Sequence, residues 1–166
     1  MRRALSRGLC GAIAVGLALG SGAGIVAAFT ATSVNHGNVV TSVPDFTPPD
    51  IVAVAIGEGE GGATGSVAPG GAYHVYADVL PDGGNPPSGT ATVTADVAEI
   101  TAGSTAVALT AGSYSAGGQS FDYRSDALTA DDPLAEGEKG FTVTAVDNAS
   151  NDETEPGTVT VVSGGP

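Results

Sequence analysis

The stretch Phe141-Thr142-Val143-Thr144-Ala145-Val146-Asp147-Asn148-Ala149-Ser150-Asn151 decides the fold class of this chain. Its first residues alternate, so that Phe141, Val143 and Ala145 share one face, and a period of two is typical of a half-buried β-strand. The Asp and Asn residues that follow are favoured in turns because their side chains form local hydrogen bonds. A second alternating run at residues 158–161 comes after this turn. The pattern predicts two strands separated by a polar turn.

The same reasoning extends to the chain from Ile51 onward, where no stretch has apolar residues repeated at the 3.6-residue spacing of a helix. Short apolar or alternating runs are separated by turns rich in Gly and Pro, which predicts an all-β, two-sheet sandwich. About seven strands are expected, at residues 51–57, 72–80, 89–98, 105–110, 120–124, 141–147 and 158–162. The predicted core comprises Val75, Val79, Val93, Val97, Phe121, Tyr123, Phe141 and Val143.

Four segments of this pattern resemble a bacterial immunoglobulin-like domain of extracellular proteins. They are the Asp45-Phe46-Thr47-Pro48-Pro49 lead-in, the Ser88–Asp96 strand, Leu128 with Leu134 and Gly137, and the Thr142–Asn151 stretch. The resemblance covers residues 45–163 and implies an immunoglobulin-like sandwich. Where that family usually has Gly, this chain has Ser150, so we expect Asn148 or Asn151 to take the left-handed conformation of the turn.

The N-terminal 28 residues have the three parts of a secretory signal. Three arginines (Arg2, Arg3 and Arg7) precede an uncharged run, and Val26-Ala27-Ala28 offers small residues for cleavage, which predicts a mature protein beginning at Phe29. A retained membrane anchor is the alternative, since the uncharged stretch is long enough to span a bilayer. Either way, the rest of the chain is expected outside the cell or on its surface. Cys10 is the only cysteine, so no disulfide is expected within the domain.

Residues 27–38 resemble the cleavage region of camelysin-like, fibre-forming matrix proteins, with alanines, an aromatic residue and then Ser, Thr and Asn. The resemblance implies dedicated surface export. Residues 29–50 have no sustained period and contain Pro44, Pro48 and Pro49, so they are expected to form a linker to the domain at 51–163.

The charge distribution excludes one class of function. After the N-terminal segment, only Arg124 and Lys139 stand against all 18 acidic residues, a formal balance of about −16. Nucleic acids and anionic lipids are bound through Lys and Arg, which neutralise phosphates. No nucleic-acid partner is therefore expected, and membrane contact only through an uncleaved N-terminus.

The residues needed for catalysis are scarce. The two histidines are His36, in the predicted linker, and His74, on a strand face. No Ser-His-Asp set, phosphate loop or set of zinc ligands is recognisable, so the chain is not expected to be an enzyme.

Calcium is the one ligand that the sequence suggests. Asp147, Asn148, Asn151 and Asp152 concentrate oxygen atoms in one turn, and calcium takes 6–8 oxygen ligands. Asp82 and Asn85 form a second polar loop. Because Asp and Asn are also common in turns for structural reasons, ordinary turn chemistry is favoured and no cofactor is expected, with calcium as the alternative.

Two functions fit these observations. The first is a secreted or cell-surface immunoglobulin-like module with a structural, spacer or binding role toward a protein or cell-envelope partner. The second is a subunit of an extracellular matrix or fibre, assembled through strand edges.

Overall fold

The computed structural model describes residues 33–35, 38–40, 45–83 and 87–163 of the 166-residue chain. The predictions for the signal segment, Cys10, His36 and Asn85 lie outside the described residues. The chain divides into two compact units between Ser42 and Val43. In the first unit, β1 (Ser33–Asn35) pairs antiparallel with β2 (Asn38–Val40).

The unit from Val43 onward is all-β. Its strands are β3 (Asp50–Gly57), β4 (Ser66–Val67), β5 (Ala72–Leu80), β6 (Thr90–Asp96), β7 (Val107–Ala116), β8 (Gln119–Ser125), β9 (Leu128–Thr129), β10 (Gly137–Asp147) and β11 (Asp152–Val161). All seven predicted strands are present, and β4 and β9 are two short additions. The described residues contain no helix long and apolar enough to cross a membrane.

Three strands extend four or more residues beyond their patterns, and β10 is one of them, because it begins at Gly137 and not at Phe141. β7 continues through Gly112 to Ala116, with a bulge between Ala111 and Tyr114 in its pairing with β8. β11 begins at Asp152 and runs through Pro156, which the pattern had marked as a break. At Pro156 the strand pairs only with β10, so the residue that lacks an N–H can face the open edge.

The sheet is nearly closed, in a barrel-like arrangement. The strand order is β3-β5-β8-β7-β6-β10-β11-β4, and β9 pairs with β5. β4 runs parallel to β11, and just before β4 the Gly65 N–H donates to the Ile56 carbonyl at the end of β3 (2.9 Å). The two ends of the strand order are thereby brought together.

The main core lies between the inward faces of these strands. It contains six of the predicted residues: Val75, Val79, Val93, Val97, Phe141 and Val143. Alternation explains this success, because five of these positions are inward residues of strands, and Val97 continues the inward series of β6 one residue past its end. Tyr123 is only partly buried against this core.

Phe121 corrects the prediction of a single core. It is 3% exposed, but it packs with Tyr76 and Ala116 in a second cluster, separate from the main core. The Tyr76 and Phe121 ring centroids are 5.5 Å apart. The bulge in β7 changes the register opposite Phe121, so a strict period of two does not describe this end of the β7–β8 pair.

The prediction for the turn after β10 was wrong. Ser150 itself takes the left-handed conformation (φ 70°), and Asn148 and Asn151 do not. The Asn148 side chain instead donates to the Ser88 carbonyl, and the Asn151 side chain donates to Asp147 Oδ2 within the turn. For a residue other than Gly the left-handed region costs roughly 1–2 kcal/mol.

Candidate metal centre

Three aspartates from distant parts of the chain meet at one end of the larger unit. Asp45 precedes β3, Asp82 follows β5, and Asp147 ends β10. One carboxylate oxygen from each lies within 4.8 Å of the others. Asp82 and Asp147 are only 4% and 2% exposed, and Asp45 is half-buried.

The position of Asp147 follows from the alternation of β10. Phe141, Val143 and Ala145 point into the core, and Asp147 is the next inward position. The pairing of β10 with β6 shifts register between Val146 and Asp147. Such irregularities re-aim a side chain at the end of a strand. The alternation of β10 therefore places the Asp147 carboxylate in a buried position.

Hydrogen bonds hold the Asp147 carboxylate in its ionised form. Its Oδ1 accepts from the Ala149 and Asn151 backbone N–H groups (2.8 Å each), and its Oδ2 accepts from Asn151 Nδ2 (2.8 Å). Burial alone would raise the pKa of Asp147, but the hydrogen bonds from Asn151 and Ala149 outweigh it and lower the pKa below its ordinary value.

Ser88 and Gly89 connect the other two aspartates. Asp82 Oδ2 accepts from the Ser88 N–H and Oγ (3.0 Å each) and from the Gly89 N–H (2.9 Å). The Ser88 N–H also lies 3.2 Å from Asp45 Oδ2. The loop before β6 thus contacts both carboxylates.

The four residues predicted as calcium ligands have different positions. Asp147 belongs to the cluster. Asn151 supports it, because its Nδ2 donates to Asp147 Oδ2 and lies 3.2 Å from the Asp45 backbone oxygen. Asn148 is exposed and fastens two loops, with its Nδ2 donating to the Ser88 carbonyl (2.7 Å). Asp152 is exposed at the start of β11 and is not part of the cluster.

Sequence reasoning did not group Asp45 and Asp82 with Asp147. Positions 45, 82 and 147 are far apart along the chain, and no local spacing connects them, so only the fold brings them together. One signal was present at Asp147, where an acidic residue continues an inward-facing apolar series. A buried carboxylate in such a place needs hydrogen bonds or a cation.

Three carboxylates in this arrangement could bind a hard divalent cation. Like charges this close repel one another, and a cation with oxygen ligands would relieve the repulsion. No family model, curated protein or solved structure matches the chain.

Proposed function

We propose that this chain is an exported structural module, an immunoglobulin-like sandwich whose N-terminal junction is fastened by a calcium ion. The observation that carries the proposal is the convergence of Asp45, Asp82 and Asp147 at the point where the chain enters the domain. The module would act as a spacer or binding unit in a secreted or cell-surface protein.

The strand order supports the immunoglobulin-like part. β6 and β7 share only a short register, Thr94 with Ala108 and Ala95 with Val107, so the order divides there into two groups. The first group is β3-β5-β8-β7 and the second is β6-β10-β11, with β4 beside β11. In chain order these groups correspond to the ABED and CFG sheets of an immunoglobulin-type sandwich.

The location of the cluster supports a spacer role. Asp45 lies on the segment that leads into β3, whereas Asp82 lies on the loop after β5 and Asp147 is the last residue of β10. A cation shared by all three would fasten the lead-in segment to the domain. Calcium suits the cluster better than magnesium, because it accepts several carboxylates in flexible geometry, while magnesium demands near-ideal octahedral geometry and retains its waters.

The test is a comparison of calcium with magnesium at equal ionic strength, after treatment with a chelator. Because only the folded protein offers the three carboxylates together, calcium should raise the melting temperature more than magnesium does. Asp82→Asn and Asp147→Asn should each abolish this difference.

Asp152→Asn is the matched control, since it removes the same charge from an exposed position outside the cluster. It should retain the calcium-specific rise. If both ions raised the melting temperature equally in every variant, the rise would come from screening of an acidic surface. That result would refute the proposed calcium site.

A fibre subunit is the second candidate, and the edge at β3 favours it. β3 is the first strand of the sheet order and is tied to the segment before β4 at Ile56 and Gly57. Farther from that end, Val52 on β3 and Leu80 on the adjacent β5 are 47% and 48% exposed. Exposed apolar residues beside a strand edge favour edge-to-edge association. Light scattering that shows growing oligomers as the protein concentration rises would support the fibre, and a monomer throughout would support the spacer.

A further inference from the structure

Residues 58–65, which we call the strap, run from the end of β3 to the end of β7 and then return to β3. At their base, Gly57 forms a β-bridge with Thr64, and the Gly65 N–H donates to the Ile56 carbonyl. At their middle, the Gly61 N–H donates to the Ser115 carbonyl, and the Gly62 carbonyl accepts from the Gly117 N–H, both at 2.7 Å. The strap therefore reaches β7 although β5 and β8 lie between β3 and β7.

The second cluster is next to this strap, whose hydrogen bonds to Ser115 and Gly117 flank the cluster residue Ala116. Tyr76, Phe121 and Ala116 are all nearly inaccessible to solvent, and the partly buried Tyr114 packs against them. The cluster is small and separate from the main core, so it buries less apolar surface than the main core does. A region with few buried apolar contacts opens more readily than a core strand does.

Only a few interactions hold the middle of the strap. Glu60 Oε2 lies 3.2 Å from Arg124 Nη1, and the Arg124 guanidinium lies 4.3 Å from the centre of the Tyr114 ring. The Glu60 side chain is 60% exposed, and exposed ion pairs stabilise weakly. Four of the eight strap residues are glycines, which lose the most backbone freedom when they are ordered.

The closed strap also buries a polar group without a partner. Tyr76 is 0% exposed, and no described residue accepts or donates a hydrogen bond at its hydroxyl oxygen. Burial raises the pKa of this hydroxyl, the nearby Arg124 side chain lowers that pKa, and the charge of Glu60 raises it. A buried unsatisfied hydroxyl loses its hydration without compensation, and opening of the strap would restore it.

We propose that the strap is a lid that opens separately from the rest of the domain, and that the buried Tyr76 hydroxyl favours the open state. Opening breaks two backbone hydrogen bonds and one exposed ion pair. It exposes the rings of Tyr76, Phe121 and Tyr114 while the main core stays intact. The fold thus contains a buried aromatic cluster, and the strap that shields it from solvent is only weakly held.

Amide hydrogen exchange in the full chain tests this proposal. The Gly61 and Gly117 amides report on the strap, and the amides of Val143 and Ala145 in the central strand β10 report on the whole domain. The strap amides should exchange at least about tenfold faster than those of β10, under conditions where exchange follows the opening equilibrium.

Tyr76→Phe is the decisive variant. It removes the unsatisfied hydroxyl and should slow exchange at Gly61 and Gly117 by at least about fivefold, without a matching change in β10. Tyr73→Phe is the matched control, because the Tyr73 hydroxyl lies 2.7 Å from Thr101 Oγ1 and is satisfied. That variant should not slow exchange in the strap.

A second pair of variants tests the ion pair. Glu60→Gln should speed exchange in the strap by up to about fivefold, whereas Glu58→Gln, which removes the same charge from the strap but no ion pair, should change it less. Equal protection of the strap and β10 would overturn the proposal. So would a Tyr76→Phe variant whose strap exchanges as fast as that of the unmodified chain.

Discussion

Two aspartates show how the surroundings of a single residue set its effect on stability. Asp147 accepts several hydrogen bonds that favour its ionised form, and its pKa is lowered. Asp122 lies on β8, where burial raises its pKa and Asp78 raises it further, although the Val79 N–H donates to its Oδ1 (2.9 Å) and opposes the shift. The two carboxylates therefore have opposite effects on the pH dependence of folding.

For Asp147 the folded pKa lies below the unfolded one, so its contribution is present above the unfolded pKa and is lost as the pH falls through the folded pKa. For Asp122 the folded pKa is raised, so its contribution is present below the unfolded pKa and is lost as the pH rises through the folded pKa. Without divalent cations, Asp147→Asn should therefore lower the melting temperature at pH 7, and Asp122→Asn should not.

Thermal unfolding measured from pH 7 down to pH 3 checks this prediction. The melting-temperature deficit of Asp147→Asn should shrink as the pH falls below the ordinary pKa of an aspartate, since Asp147 of the unfolded chain is protonated first and the native carboxylate only at lower pH. A deficit of constant size over the whole range would contradict an electrostatic role for Asp147.

At the scale of elements, the β10–β11 pair depends on one aromatic ring packed over one glycine. Phe141 and Gly157 are opposite each other in the register, and a Cβ atom added at Gly157 would overlap the Phe141 ring. An aromatic ring that covers a strand glycine compensates for the missing side chain. The two residues should therefore be energetically coupled.

A double-mutant cycle measures this coupling. Phe141→Ala should destabilise the domain by about 3–5 kcal/mol, because Phe141 is 4% exposed in the main core. Gly157→Ala should cost about 1–3 kcal/mol through overpacking, and much less once the ring is removed. Gly140→Ala is the control in the same strand pair, since its added Cβ would meet only Glu99, at 3.6 Å. Additive losses from Phe141→Ala and Gly157→Ala would disprove the coupling.

The sequence predicts those features that depend on local patterns, and it does not predict those that depend on contacts between distant parts of the chain. Alternation is local, so it located all seven long strands and most of the main core. Tyr76 was not identified as a core residue, because it lies on the opposite face from Val75 and packs in a separate cluster with Ala116 and Phe121. The cluster of Asp45, Asp82 and Asp147 likewise depends on how three loops meet, which no local pattern encodes.

At the scale of the whole molecule, the main destabilising feature is the large excess of acidic over basic side chains. Among the described residues, Arg124 and Glu60 form the one ion pair. The domain has 18 acidic residues and only two basic ones, Arg124 and Lys139, so most of its negative charge cannot be neutralised by ion pairs within it. The mutual repulsion of the acidic residues destabilises the compact state relative to the expanded unfolded chain.

Sodium chloride should therefore raise the melting temperature of the chelator-treated protein. Screening acts over the Debye length, which falls from about 30 Å at 0.01 M to about 3 Å at 1 M salt, so most of the rise should occur below about 0.5 M. Strengthened burial of apolar surface would instead continue to increase with salt, and sodium sulfate, which is excluded from protein surfaces, provides that comparison. A melting temperature that stays flat or falls between 0.01 and 0.5 M sodium chloride would show that the acidic groups are too far apart, or too well solvated, to oppose folding.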